Sequence, residues 1–252
     1  MYLLRFLRKS ELQQRSGRYL LYAFGEILLI VIGIMIALQI NNWSQHQTNL
    51  ELERNFLLRF QVDLEEDLAT FREQVEIGEK GLEAVKEGVE LIHRTNVEED
   101  FFTLNRYYDL AHIDPFSPQY STYEELESTG QLNLIRDNSL RLAIQKHYAE
   151  YHRMEVHFEQ LYTWRKNVTN IFETQTASLK YTDWNVSIFP SELRSDTDWN
   201  FMNDKEHSQF KVTETAFAAT SFWITWHMND YEEIIPITEA LKERIAKALE
   251  KL

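Results

Sequence analysis

The chain has 252 residues, 44% of them hydrophobic, no cysteine and a formal net charge of −14. That length holds one or two domains with a sizeable core, and the missing cysteines exclude a disulfide framework and thiolate chemistry. So acidic a chain lacks the basic face that phosphate binding requires, which argues against nucleic acid as a partner.

The charge is unevenly placed. Residues 1–18 carry Arg5, Arg8, Lys9, Arg15 and Arg18 against Glu11, a net +4, which leaves −18 on the remainder. From Tyr19 to Ile40 there are 22 residues with a single charge, Glu26. As a helix this run is ~33 Å long, enough to cross a hydrocarbon core. It is too long for a cleaved signal peptide, and "LQINNWSQ" offers no small-x-small exit site. The expectation is an uncleaved signal anchor over 19–43, with Tyr19 and Tyr22 at one interface and Trp43 at the other. The basic tail then stays in the cytoplasm, and residues 44–252 form a domain on the far side.

Glu26 lies about 9 Å along the span from Leu20, below the headgroups but short of the bilayer centre. A carboxylate at the centre costs ~2.5–3.5 kcal/mol, and less toward the interface. At about 100° per residue, Tyr22, Ile30, Gly33, Ala37 and Ile40 share the Glu26 face, and Asn41 lies beside it. Gly33 and Ala37 form a small-xxx-small pair that lets helix backbones approach closely. The face reads as a self-association surface. The competing readings are a glutamate that snorkels to the cytoplasmic surface and a polar pathway lined by several copies of Glu26.

The span "YLLYAFGEILLIVIGIMIALQINNW" resembles the N-terminal signature of a Bacteroidota inner-membrane protein family of unknown function, domain-of-unknown-function family six-zero-nine-zero. That family's pattern is G-E-I-x-L-x-x-x-G-I-x-I-A-L-x-I-N-N-W, matched here by Gly25, Glu26, Gly33, Ala37, Asn41, Asn42 and Trp43. "STYEELESTGQLNLI" is similar to a second motif of the same family. The resemblance implies a Gram-negative inner-membrane protein with a periplasmic body, and it carries over no activity.

Residues 50–93 form an amphipathic helix. Leu57, Phe60, Leu64, Leu68, Phe71, Val75, Leu82, Val85, Val89 and Ile92 step by three and four, with Gly78 in the stripe. No proline separates it from the span, so it reads as a continuation. The stripe suits either a coiled-coil seam in an oligomer or a face buried within the chain. Gly78, Gly81 and Gly88 are expected to loosen it. A short helix follows near 101–111, then the loop "IDPFSPQY". A small helix comes next, with Ser121/Glu124 or Thr122/Glu125 at capping-box spacing and Gly130 as its stop. Asp137 or Asn138 starts a long helix to about 178. Residues 180–207 read as an irregular connection packed down by Trp184, Phe189, Trp199 and Phe201. The last helical region is 208–252, with Pro236 expected to kink or restart it. Seven glycines and four prolines in the whole chain suit long helices. The fold class is all-α: a single transmembrane helix continuing into an extracytoplasmic up-down helical bundle.

The search for chemistry returns little. His147, His152 and His157 are five apart and so do not share a helix face. Glu90 with His93 is the sole Glu-x-x-His pair, where a di-iron bundle needs two, so no metal site or cofactor is expected. There is no G-x-S-x-G, H-E-x-x-H, P-loop or dinucleotide fingerprint, and nothing marks an enzyme. Candidate partner surfaces are Tyr120, Tyr123 and Gly130 in the small-helix segment, and Trp223 and Trp226 in the last helix. Aromatics at helical spacing are also what a core requires. The reading that follows is a membrane-anchored periplasmic scaffold or partner-binding protein, associating with itself through the span. The lipid bilayer, other copies of the chain and an envelope protein are the partners implied. An ion or proton channel using Glu26 and a periplasmic enzyme or sensor are the alternatives.

Overall fold

The computed structural model describes residues 3–94, 101–184 and 202–252. Among these the chain is helical, with no strand. The helices are α1 (Leu3–His93), α2 (Phe101–Leu110), α3 (Ser121–Ser128), α4 (Asn138–Trp184) and α5 (Ser208–Leu249), with a 3-10 turn at Gln131–Leu134. The chain divides into two compact units, Met1–Asn55 and Phe56–Leu252. The described residues of the first belong to α1 alone, and α1 runs on without a break, as the absence of an intervening proline predicts.

The second unit is built of four legs whose directions follow from the pairs they make. Going along α1, Glu65, Arg72, Gly81 and His93 meet Lys242, Glu239, Ile224 and Glu214 of α5, so these helices are antiparallel. Helices α4 and α5 are antiparallel too, through Ser139–Arg244, Tyr151–Thr238, His157–Asp230 and Arg165–Thr220. The remaining leg is the connector from α2 to α3. Its residues His112, Asp114, Gln119 and Glu125 meet Gly81, Gln74, Asp67 and Arg59, descending along α1. The order is up, down, up, down, with a second leg that is extended in its middle rather than helical.

An extended segment inside a bundle must satisfy its backbone polar groups without a helix or sheet. Pro115 and Pro118 remove two donors from 111–120. Side chains of the flanking helices supply partners for others. The Gln74 carboxamide accepts from the Asp114 amide (2.9 Å) and donates to its carboxylate (3.0 Å). Asp67 Oδ1 accepts from the Gln119 amide at 2.8 Å, and the Tyr231 hydroxyl donates to the Asp114 carbonyl at 3.3 Å. Phe116 then enters the core, 5.3 Å from Phe71, 5.4 Å from Tyr151, 5.5 Å from Phe158 and 5.9 Å from Tyr231 between ring centres.

The α1 stripe is buried within this unit. Leu57, Phe60, Leu64, Leu68, Phe71, Val85 and Ile92 are core residues. The three glycines of this stretch have a further role. They are sites of close approach: Gly78 lies against Met228, Gly81 against the His112 backbone, and Gly88 against the Phe217 ring. A Cβ at Gly88 would overlap that ring, which is fully buried between Tyr108 and Phe172. Gly88→Ala gains up to ~1 kcal/mol of helix propensity but forces overpacking of about 1–3 kcal/mol. A lower urea midpoint for Gly88→Ala is the expected result.

Local punctuation is partly as the residues predict. Gly130 has φ +68°, the left-handed conformation that ends α3. Asp137 caps α4, accepting from the Ser139 and Leu140 amides at 2.8 and 3.2 Å. The capping box at α3 does not form. Tyr120 occupies the N-cap without a side-chain bond, so Ser121 and Thr122 already lie in the first turn, with Thr122 buried. Helix α4 runs past 178 to Trp184, and α5 neither stops nor restarts at Pro236, an exposed residue within it. The expected packing of the Trp184, Phe189, Trp199 and Phe201 side chains lies outside what the structure describes.

Candidate functional site

Tyr22, Glu26, Gly33, Ala37 and Asn41 all lie in the first unit. All but Gly25 of the described side chains from 22 to 49 are exposed. The most apolar 18-residue window of α1 has a mean hydropathy of 2.1 and is 0% buried. Among the described residues this is the one helix long and apolar enough to cross a membrane. Among the described residues of this unit, Glu26, Gly33 and Ala37 are exposed.

The second unit holds an unexpected polar cluster inside its core. Asp67 of α1 is 2% exposed, yet it is a carboxylate. Besides the Gln119 amide, it accepts from the Tyr151 hydroxyl at 2.9 Å, and that hydroxyl lies 3.5 Å from Thr238 Oγ1. Burial pushes the Asp67 carboxyl up to about 7, against the opposing pull of those two hydrogen bonds. Asp63, one turn earlier, is half-buried and adds to the rise. The His147 ring packs 4.2 Å from that of Tyr151, and Tyr148 stacks on Tyr123 at 4.3 Å. Both His147 nitrogens, the Tyr148 hydroxyl and Asp63 Oδ2 are buried with no hydrogen-bond partner among the described residues. Burial depresses His147 to about 4, so its imidazole is neutral at pH 7. Native cores rarely leave such groups unpaired, and most of these lie close to Asp67 and Tyr151.

None of Asp67, Tyr151, His147 and Thr238 was singled out as a site from sequence. A signal was nonetheless present. Phe60, Asp67, Gln74, Gly81 and Gly88 are seven apart, a row of mostly polar or small residues beside the apolar stripe. From Asp67 to Gly81 this row faces the connector, whose backbone needs acceptors, donors and room.

The residues singled out as partner surfaces divide. Tyr120 and Tyr123 are half-buried against Tyr148, so their rings support the polar cluster. Gly130 is exposed in its turn. Trp223 is buried, with the Arg165 guanidinium 4.7 Å above its ring, whereas Trp226 is 43% exposed beside Phe222, which in turn lies against Trp164. Arg165 also donates to the Tyr108 hydroxyl (3.2 Å) and Thr220 (3.3 Å), and Tyr108 donates to Glu173 (3.0 Å). Burial pushes the Tyr108 hydroxyl up to about 12.

The histidines take separate partners. His157 Nδ1 lies 2.7 Å from Asp230, His93 Nε2 3.1 Å from Glu214, and His227 Nδ1 donates to the Trp223 carbonyl at 2.7 Å. Among the described residues no three histidine or carboxylate side chains converge as metal ligands.

A family model described as a family of unknown function, DUF6090, matches residues 26–187. That stretch runs from the charged residue of the apolar span through the connector and α4, so it takes in both Glu26 and the Asp67–Tyr151 pair. No curated protein and no solved structure matches the chain. With well over half its length matched, the chain belongs to the DUF6090 family, whose function is unknown.

Proposed function

We propose that the chain is a membrane-anchored scaffold that associates with itself through its apolar helix and carries its helical bundle into the periplasm. In this reading residues 1–18 are cytoplasmic, 19–43 cross the bacterial inner membrane and 44–252 form the periplasmic domain. The observation that carries it is the uncovered apolar window with a carboxylate on one face. Such a helix requires lipid around most of its surface, and Glu26 requires a polar partner or a short route to the interface. A neighbouring copy, brought close along Gly33 and Ala37, supplies that partner, with Tyr22 and Asn41 at the two ends of the contact. The five basic residues before the span set the orientation. The exposed aromatics Trp164, Phe222 and Trp226 on the bundle suit an envelope protein.

The chain has no cysteine, so a single introduced one reports cleanly. Gly33→Cys and Ala37→Cys are expected to form disulfide-linked dimers on oxidation of native membranes. Met35→Cys, about 180° from Glu26 around the helix, is expected to remain monomeric. Cross-links of equal yield at all three positions, or at none, would remove the self-association reading.

A further inference from the structure

We propose that the cleft between α4 and α5 binds a small amphipathic carboxylate, an alkyl chain ending in one anionic group. The cleft has a volume of about 460 Å³, within the range of small-molecule sites. Ala143, Pro236, Ile237, Ala240 and Leu241 make an apolar lining, wide because three of them are small. Lys146 and Arg244 bring two positive charges. None of the eight lining residues is acidic, although acidic side chains outnumber basic ones 40 to 26 in the chain. The lining side chains are therefore net positive, opposite in sign to the molecule as a whole, with Glu150 near His147 and Asp137 near Arg244 as the neighbouring acids, and this favours an anion. Arg244 is held in place by its bond to the Ser139 carbonyl at 2.9 Å, and a guanidinium presents several further donors suited to a carboxylate.

The eighth lining residue is His147, 3% exposed and without a partner at either ring nitrogen. A buried imidazole left unpaired is costly, and a polar ligand group or its water offers the missing partner. Behind His147 lies Tyr151, bonded to Asp67. The cleft thus adjoins the Asp67–Tyr151 pair, and its occupant would touch His147. The proposal does not depend on self-association of the span.

Octanoate is the probe, with 1-octanol and acetate as its two halves, titrated against the intact chain in zwitterionic lipid nanodiscs by ligand-observed NMR. Octanoate is expected to bind saturably, at least tenfold more tightly than either half. Ala240→Trp, at an exposed position, fills the cleft and is expected to weaken octanoate at least tenfold without changing the helical circular dichroism. Lys146→Gln combined with Arg244→Gln is expected to reduce octanoate to the level of octanol. If Ala240→Trp fails to fold, Ile237→Trp fills the same space from another exposed position. Octanoate uptake unchanged by the filling variant would show partition into the disc and overturn the proposal. Octanol binding as tightly as octanoate would overturn its anionic part.

Discussion

Asp67→Asn is expected to stabilise the intact chain in detergent by about 4 kcal/mol at pH 8 and by less than about 1 kcal/mol at pH 4. The folded-state pKa of Asp67 is raised from 3.8 to about 7. The folded chain therefore holds this proton more tightly than the unfolded chain. The resulting stabilisation is complete below 3.8 and is lost as pH rises through about 7. Asparagine resembles the protonated acid. Its oxygen still accepts from the Gln119 amide, its amide group donates to the Tyr151 oxygen, and Tyr151 turns its proton toward Thr238. His147 and His227 act in the opposite sense. Both are depressed by burial from 6.5 to about 4, so their contribution is present above 6.5 and is lost as pH falls through about 4. Those terms are common to both proteins and cancel in the difference between their urea midpoints. A difference that does not change between pH 4 and 8 would show that Asp67 is not buried as a charge. Asp67→Ala leaves the Gln119 amide unpaired while Tyr151 can still turn to Thr238, and is expected to be about 1–3 kcal/mol less stable than Asp67→Asn.

Phe116→Ala is expected to cost about 3–5 kcal/mol, the loss typical of a fully packed phenylalanine. Phe116 belongs to an extended connector that sequence alone presents as a proline-containing loop. Its ring nevertheless lies within 6 Å of four core aromatics, from α1, α4 and α5. Removing it detaches the connector from the bundle. The amides of Asp114 and Gln119, bonded to Gln74 and Asp67, should then exchange with solvent faster. Phe222→Ala, at a 44% exposed position, is the comparison and is expected to cost less than about 1 kcal/mol. A Phe116 variant as stable as the Phe222 variant would mean that the connector is a surface loop and the bundle has three legs.

Together the two results would separate the structural work of the connector from the electrostatic character of the residue that anchors it. Asp67 both satisfies a connector amide and introduces an ionisable group into the core. Packing alone would be met by a neutral acceptor, and the cost of the carboxylate at neutral pH is unexplained by the fold. Near Asp67 lie the buried His147 and, beyond it, a cleft lined by Lys146 and Arg244.

Periodicity and composition determined the all-α class, the apolar span, the buried stripe of α1, the stop at Gly130 and the cap at Asp137. These are local matters: they depend on residues within a few positions of one another, on helix sterics and on the capping of backbone groups. The tertiary structure decided that the stripe is used within the chain and that the glycines of α1 are points of close approach. It also decided that the connector is a leg of the bundle. Asp67, Tyr151 and Thr238, 84 and 87 residues apart in successive pairs, meet because α1, α4 and α5 are packed side by side. A burial-shifted carboxylate requires both low-polarity surroundings and partners from distant segments. Neither can be read from helical spacing on one strand of sequence, although the row Phe60, Asp67, Gln74, Gly81 and Gly88 already marked the side of α1 where they would be found.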